Sequence, residues 1–172
     1  MGFIMHNSIM RAASKFYFDY KAFVDSSLVA DLGALNINGS TKDLIKHAIG
    51  FDIVSGPGVD VVIEPGNIPQ QYKKIFDVVV SISSFQFCPD PILYKKQIID
   101  LLHPRGYLFL SMCSDKCTEK HTTSNNKYGY ADEFRLSRVH FESLFLDEFK
   151  ILESAETNYE HPDFIIVAKL KS

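Results

Sequence analysis

Two continuous apolar runs constrain the fold more than any other feature of the sequence: FDVVVSI at 76–82 and GYLFLSM at 106–112. A strand with one face in water alternates apolar and polar residues, and neither run alternates. Uninterrupted runs of this length are typical of strands that are covered on both faces, as in parallel sheets layered with helices. The chain is therefore expected to build a sheet with helices on its two sides.

The segments around these runs alternate between strand and helix patterns. Between the runs, PDPILYKKQIIDLLHP predicts a helix, with Ile92, Ile99 and Leu102 facing inward. Further helices are predicted over 8–24, over 40–49 after the capping residue Ser40, and from about Ser137. Short strands are predicted in SLVADLG, GFDIV and VDVVI, and two more in FKILESAET and DFIIVAKL near the end of the chain.

This alternation predicts an α/β fold, a Rossmann-like doubly wound sheet of seven strands with helices on both faces. The last two strands are joined by a short polar turn, so they should pair as a hairpin. The sheet is then mostly parallel, with an antiparallel C-terminal hairpin strand at its edge. A length of 172 residues fits a single domain spanning 1–172.

Charge, cysteine content and hydropathy exclude several classes of function. The net charge is −3 and there is no basic run, so no nucleic-acid partner is expected. Three cysteines are too few and odd in number for a secreted disulfide framework, which favours the cytoplasm. No stretch approaches the roughly 20 apolar residues of a membrane span. Nothing in the sequence specifies an oligomeric state.

The first predicted strand leaves through DLGALNINGS at 31–40, a turn richer in special residues than a plain turn needs. Ligands of such sheets bind at the carboxyl ends of the strands, where the strand order reverses. Gly33 permits a sharp turn and a close approach. Asp52 ends the second strand, 21 residues after Asp31, where a carboxylate can accept hydrogen bonds from two ribose hydroxyls. The ligand is therefore expected to contain a nucleoside.

The glycine pattern of this turn narrows the kind of nucleoside. A nicotinamide or flavin dinucleotide requires G-x-G-x-x-G, and Leu35 occupies the second glycine position. A Walker loop requires a lysine before its serine, which Gly39-Ser40 lacks. A nucleoside without a diphosphate remains, and S-adenosylmethionine is the commonest ligand of this kind.

Five segments in order now carry a family resemblance: VADLG, FDIVSGPGVDVV, EPGNIP, FDVVVSISSFQFCPDP and LLHPRGYLFLSM. The chain resembles class I S-adenosylmethionine-dependent methyltransferases over residues 5–168. The subgroup that it resembles most has an Asn-Gly-Ser first turn and a GPGVD turn after the second strand. The resemblance implies S-adenosylmethionine as cofactor.

The resemblance also implies residue roles at the first two strand ends. Asp31, Gly33 and Ala34 would line the methionine part of the cofactor. Asp52 would hold the ribose, and Ile53 would pack on the adenine. A predicted N-terminal helix within 1–25 would cover the cofactor site, as a helix before the first strand often does in this fold.

Two further positions follow from the resemblance, together with two departures from the family pattern. Glu64 stands where the family usually has an aspartate near the adenine, and Ser81 with the residues after it would face the methionine and the substrate. Leu35 departs from a common second glycine, as is typical of the Asn-Gly-Ser subgroup. Gln86-Phe87 stands where many members have Glu-His, which removes a possible base.

The longest irregular stretch, 114–132, leaves the fifth strand beside the predicted pocket and is predicted to be the substrate loop. It carries the candidates for acceptor contact or catalysis, His121, Tyr128, Tyr130 and Asp132. His121 also follows Cys113 and Cys117 at four-residue steps. This polar segment shows no fourth ligand, so no metal site is predicted.

Methyl transfer from a sulfonium is an in-line displacement in which the protein mainly positions donor and acceptor. The predicted function is methyl transfer to a small-molecule or glycan-type acceptor. The alternative is a non-catalytic cofactor-binding or partner subunit that keeps the fold, an idea favoured by Gln86-Phe87. A nicotinamide-dependent reductase is disfavoured by Leu35 and by the lack of a Tyr-x-x-x-Lys sequence.

Overall fold

The computed structural model describes residues 7–37, 39–117, 131, 133–157 and 162–172. These residues form a sheet with helices packed on it. The strands are β1 (Val29–Leu32), β2 (Ile49–Asp52), β3 (Val61–Val62), β4 (Phe76–Ser81), β5 (Leu102–Cys113), β6 (Phe149–Glu156) and β7 (Asp163–Leu170). The α-helices are α1 (Asn7–Asp19), α2 (Lys21–Asp25), α3 (Pro91–Leu101) and α4 (Arg138–Ser143).

The sheet order is β3-β2-β1-β4-β5-β7-β6, which confirms the predicted seven-stranded, mostly parallel sheet. Strands β1 to β5 pair in parallel, and β7 is antiparallel to both β5 and β6. The antiparallel strand lies inside the edge strand β6 rather than at the edge itself. The order reverses between β1 and β4, so the carboxyl ends of these two strands flank a crevice suited to a ligand.

Buried side chains cover both faces of the sheet, as the continuous apolar runs predicted. One face packs against α3 and α4 through a cluster that includes Phe76, Phe85 and Phe141. The other face packs against α1, whose Phe16 ring lies 4.8 Å from that of Phe109. In the part of the chain that the structure describes, no helix is long and apolar enough to cross a membrane.

The helix predicted over 8–24 is two helices, because the chain leaves helical geometry at Tyr20 (φ −111°, ψ 16°). The change of direction places the Tyr20 ring 6.1 Å from Tyr107 and lets its hydroxyl donate to Glu153 at 3.2 Å. Tertiary contacts of this one aromatic side chain thus override the local helix pattern.

The prediction of a helix over 40–49 is wrong in length, because only a 3-10 turn, Thr41–Asp43, forms there. The predicted cap is present: Ser40 Oγ accepts from Lys42 N at 3.1 Å, and the Ser40 N–H donates to Asp43 at 3.3 Å. Because β2 begins at Ile49, too few residues follow the cap for a helix that could also return to the sheet.

Helix α3 forms as predicted, but the face that it turns toward the core is not the predicted one. Ile92 was expected to face inward and is 55% exposed. Asp90 caps the helix by accepting the N–H groups of Ile92 and Leu93, and this fixes Tyr94 as the first buried position. The residues of α3 that are buried are Tyr94, Gln97, Ile98 and Leu101; Ile99 is half-buried, and Leu102 is buried as the first residue of β5.

The C-terminal helix and strands agree with those predicted from the sequence. Ser137 caps α4, with Oγ accepting from His140 N at 3.5 Å. The two last strands pair in register from Phe149 opposite Leu170 to Glu156 opposite Phe164, with one irregularity between Ile151 and Glu153.

The aromatic core beneath α4 should dominate stability. Phe141 is fully buried and lies 5.9 Å from Phe145, whereas Val139 on the same helix is 74% exposed. We expect Phe141→Ala to lower the free energy of unfolding by about 3–5 kcal/mol, because it leaves a cavity. Val139→Ala is the control and should change it by less than about 0.5 kcal/mol. Urea denaturation measures both, and equal effects would contradict this account of the core.

Candidate active site

The carboxyl ends of β1, β2 and β4 bring together three predicted site residues, Asp31, Asp52 and Ser81. Asp31 pairs with Gly50 of β2 on one side and with Val80 of β4 on the other. Since the three strands are parallel neighbours, their ends lie at one edge of the sheet. All three side chains are buried there.

Asp52 ties the turn after β1 to the turn after β2. Its Oδ2 accepts the N–H of Leu35 at 3.0 Å, and its Oδ1 accepts the N–H of Val54 at 3.1 Å. The carboxylate of Asp52 thus holds a backbone N–H group of each of the two turns. Ile53, directly after it, is 48% exposed, which leaves an apolar surface beside the carboxylate.

The turn after β1 packs closely on the turn SGPG at 55–58. Asn36 N donates to the carbonyl of Pro57 at 2.8 Å, and a Cβ on Gly56 would lie 2.4 Å from Leu35 Cδ1. The Leu35 side chain is therefore directed at this second turn and is buried by it. Asn36 Oδ1 accepts from Gly39 N at 3.0 Å, a local bond that stiffens the turn. Asn38 lies outside the described residues.

Gly33 is required by packing between the β1 and β4 turns. Its φ is +83°, and an added Cβ would lie 2.3 Å from both Cβ and Oγ of Ser84. The close approach expected at this glycine therefore comes from the chain itself. Its neighbour Ala34 is buried, and its N–H donates to Phe51 O at 3.0 Å.

A hydroxyl cluster of Ser81, Ser84 and Tyr94 lies beneath Gly33. The three hydroxyl oxygens are 2.7–2.9 Å apart, and both Ser84 and Tyr94 donate to the carbonyl of Leu32 at 3.1 Å. Ser81 is fully buried, so in this structure it supports the turn through its neighbours, and its contact with a ligand stays a prediction. Sequence reasoning missed Ser84 and Tyr94, although a tyrosine on the buried face of a helix signals a hydrogen-bond partner.

Asp31 is a buried carboxyl with incomplete charge compensation. Burial raises its pKa to about 7, while a hydrogen bond with the Thr41 side chain and the charge of Lys42 oppose the shift. The nearby carboxylates of Asp52 and Asp60 raise it further. At neutral pH a substantial share of the molecules therefore carries a neutral Asp31, and a cationic ligand group would favour its charged form.

Lys42 is held near this carboxyl by an ion pair with Asp60 that sequence reasoning also missed. Asp60 Oδ2 accepts from Gly50 N at 2.7 Å. Burial alone would raise the pKa of Asp60, but the Gly50 N–H and Lys42 together hold it below its ordinary value. The pair fixes the turn before β3 against the start of β2.

The turn after β4 is strained and bonded on several sides. Ser83 has φ +50°, and its N–H donates to Ser111 Oγ on β5 at 3.0 Å. Gln86 Nε2 donates to Ser83 O at 3.1 Å, and Gln86 O accepts the N–H of Glu133 at 3.0 Å. The segment that leaves β5 thus returns to this turn at Glu133.

The remaining predicted residues lie apart from this centre or outside the described chain. Glu64 is exposed in the turn after β3, where its carbonyl accepts from Asn67 N at 3.0 Å. The catalytic candidates His121, Tyr128, Tyr130 and Asp132 all fall outside the described residues.

Cys113 and Cys117 are buried at the end of β5. Burial and a hydrogen bond with the Cys117 thiol raise the pKa of Cys113. Within the described ranges, no three His, Cys, Asp or Glu side chains gather as metal ligands.

No protein-family model matches the sequence, and no curated protein sequence matches it. Several solved structures, in contrast, are similar to this chain in fold. The 1,6-didemethyltoxoflavin-N1-methyltransferase of Burkholderia thailandensis, with bound 1,6-didemethyltoxoflavin and S-adenosylhomocysteine, has a TM-score of 0.72 at 16% identity, over 96% of this chain and 79% of that one. A SAM-dependent methyltransferase of Methanosarcina mazei has a TM-score of 0.66 at 15% identity, over 86% and 93%.

A possible histamine N-methyltransferase of Thermotoga maritima has a TM-score of 0.61 at 18% identity, over 95% of this chain and 92% of that one. At such identities the likeness is one of fold. The chain therefore has the Rossmann-like fold of S-adenosylmethionine-dependent methyltransferases, over nearly its whole length.

The contact between Gly33 and Ser84 generates a double-mutant prediction. Gly33→Ala should lower the free energy of unfolding by about 2–4 kcal/mol, because it combines a left-handed backbone with a steric clash. In a Ser84→Gly background the clash is relieved, and the same substitution should cost only about 1–2 kcal/mol. Chemical denaturation of the four proteins gives the coupling; equal costs in both backgrounds would show that Ser84 does not set the requirement for glycine.

The burial of Asp31 predicts a pH-dependent stability. Its pKa is about 7 in the folded protein and about 3.9 in the unfolded chain. The folded state keeps the proton where the unfolded state has lost it, so the contribution of Asp31 to stability falls as pH rises from about 4 to about 7. Asp31→Asn has no such proton to lose.

The stability of Asp31→Asn relative to wild type should therefore be higher at pH 8 than at pH 5, by on the order of a few kcal/mol. Urea denaturation at the two pH values measures this difference, and other titrating groups cancel between the two proteins. A difference that does not change with pH would mean that Asp31 is already ionised at pH 5.

Proposed function

We propose that the protein is an S-adenosylmethionine-dependent methyltransferase that acts on a small-molecule acceptor, with a glycan-type molecule included in that class. The observation that carries the proposal is the meeting of the Asp31–Gly33 turn and Asp52 at the point where the order of a methyltransferase-type sheet reverses. The likeness in fold to methyltransferases supports it.

The residues at the ends of β1 and β2 suit the nucleoside half of the cofactor. Asp52 is positioned by two backbone N–H groups, and in the proposed complex its carboxylate accepts the ribose hydroxyls. Ile53 offers an exposed apolar side chain next to it for the adenine. In this proposal Glu64, exposed after β3, lies toward the adenine edge.

The end of β1 suits the methionine half. S-adenosylmethionine carries an ammonium and a sulfonium, and Asp31 is a buried carboxyl whose burial is not fully compensated. We assign Asp31, Gly33 and Ala34 to this part of the ligand. The hydroxyl cluster with Ser81 would keep the backbone of the turn in place while the ligand binds.

Methyl transfer requires little of the protein beyond the positioning of the methyl donor and the acceptor. When bound, the sulfonium supplies an activated methyl group. Hydrogen bonds join the turn after β1 to Asp52 of β2, and the turn after β4 to the end of β1, so the three strand ends form a connected edge that can hold the two reactants in line. A nitrogen acceptor that arrives unprotonated needs no base, which suits a site in which Gln86 replaces an ionisable residue.

The acceptor side of the proposal rests on the turn after β4 and on the segment 114–132. One structural neighbour, a methyltransferase, has 1,6-didemethyltoxoflavin bound. In the proposal His121, Tyr128, Tyr130 and Asp132 remain candidates for acceptor contact. The part of α1 that is described packs through Phe16 on the sheet face, and covering of the cofactor by the N-terminal region 1–25 remains a proposal.

A second candidate is a non-catalytic subunit that keeps the fold and binds the cofactor. The observation that favours it is Gln86, a buried amide where many related enzymes carry an ionisable pair. Such a subunit would bind S-adenosylhomocysteine and transfer no methyl group to any acceptor.

Calorimetry tests the cofactor. Wild-type protein should bind S-adenosylhomocysteine and not NAD. Asp52→Asn should weaken this binding roughly 10- to 100-fold, because a charged hydrogen-bond acceptor for the ribose is lost. Asp147→Asn, an exposed site after α4, is the matched control and should bind as wild type does. Binding of NAD without any binding of S-adenosylhomocysteine would contradict the proposal.

A further inference from the structure

Gln86 combines full burial with an unused hydrogen-bond acceptor. It lies in the 3-10 turn Phe85–Phe87, directly after β4, and is 1% exposed. Its Nε2 donates to Ser83 O at 3.1 Å. Because a carbonyl oxygen can only accept, the amide nitrogen must face it, and the orientation of the amide is fixed. Among the residues that the structure describes, Oε1 then has no hydrogen-bond partner.

The surroundings of this oxygen are otherwise well bonded. Ser83 N reaches Ser111 Oγ, Gln86 O accepts from Glu133 N, and Phe87 N donates to Ser84 O at 3.1 Å. Native proteins seldom leave a buried acceptor unpaired, and a catalytic role is one of the explanations for such a group. The strained φ of Ser83 points to the same functional turn.

The neighbouring side chains are aromatic. The Phe85 ring lies 5.4 Å from that of Phe134, in edge-to-face geometry. Phe87 and Phe134 are both half-buried, so part of each remains at the surface of the turn. A buried acceptor oxygen in a turn that carries aromatic side chains suits a planar, uncharged molecule that donates a hydrogen bond.

We infer that Gln86 Oε1 receives an N–H of the methyl acceptor and that the protein acts on an uncharged nitrogen. This inference rests on the proposed function and names its substrate class. A hydroxyl oxygen must give up its only proton to become a strong nucleophile, and an amide cannot take that proton. A carboxylate or thiolate has no hydrogen to donate to Oε1. A nitrogen can keep its N–H on Oε1 while its lone pair attacks.

The transfer balances without a base. The acceptor nitrogen's lone pair forms the new C–N bond with the methyl carbon as the C–S bond of the sulfonium donor breaks, and sulfur keeps that electron pair. The positive charge passes to nitrogen, so its N–H becomes a better donor to Oε1 in the transition state than in the ground state. The nitrogen afterwards releases a proton to water.

The test uses the full chain with labelled S-adenosylmethionine and matched probes: histamine and aniline as nitrogen acceptors, phenol and benzoate as oxygen acceptors. Wild type should methylate a nitrogen probe and neither oxygen probe. Gln86→Leu should lower kcat/KM for that probe roughly 10- to 100-fold. Gln97→Leu, which replaces a buried glutamine on α3, is the matched control and should leave it unchanged.

Two further readouts do not depend on turnover. Gln86→Leu should keep the wild-type affinity for S-adenosylhomocysteine and lose calorimetric binding of the nitrogen probe to that complex. Transfer to an oxygen probe, no transfer to either nitrogen probe, or equal activity of Gln86→Leu and Gln97→Leu overturns the inference. A wild-type protein that does not bind S-adenosylhomocysteine overturns the proposed function itself, which keeps the two failures distinct.

Discussion

The close contact between Gly33 and Ser84 is the constraint on which the site depends. It places Cβ and Oγ of Ser84, in the turn after β4, within 2.3 Å of where a side chain on Gly33 would begin, so only a glycine with positive φ fits. Ser84 and Tyr94 then satisfy the carbonyl of Leu32 at the end of β1. Once this carbonyl is held, the N–H of Leu35 reaches Asp52, and β1, β2 and β4 end in one connected edge.

The fold follows from the sequence because its signal is local. FDVVVSI lies in β4 and GYLFLSM in β5, and both are buried on two faces as their lack of alternation requires. The meeting of Asp31 and Asp52 was also predictable, since parallel strands bring their carboxyl ends to the same edge. The sequence positions of these carboxylates do not reveal that burial raises the pKa of Asp31 to about 7 or that Asp52 is bonded to two backbone N–H groups.

What the sequence did not reveal depends on tertiary contacts. The pattern of 40–49 favours a helix, yet the connection to β2 leaves room for a single turn. Ile92 has the apolar character of a core residue, but the cap at Asp90 sets a phase that buries Tyr94 instead. The hydroxyl cluster joins residues of a strand end, a turn and a helix, and no spacing along the chain marks such a set in advance.

Asp31 and Gln86, at the two ends of the site, share one physical property. Each is a buried polar group whose lost hydration is not fully compensated by the described residues around it. Asp31 is buried beside carboxylates that raise its pKa, and Gln86 keeps a buried oxygen that no described residue bonds. Each lowers the stability of the ligand-free protein, and a chain under selection for stability alone would replace both. A cationic donor beside Asp31 and an N–H donor at Gln86 would remove both costs. The two bound molecules would then lie across the strand ends of β1 and β4, with the methyl group between them.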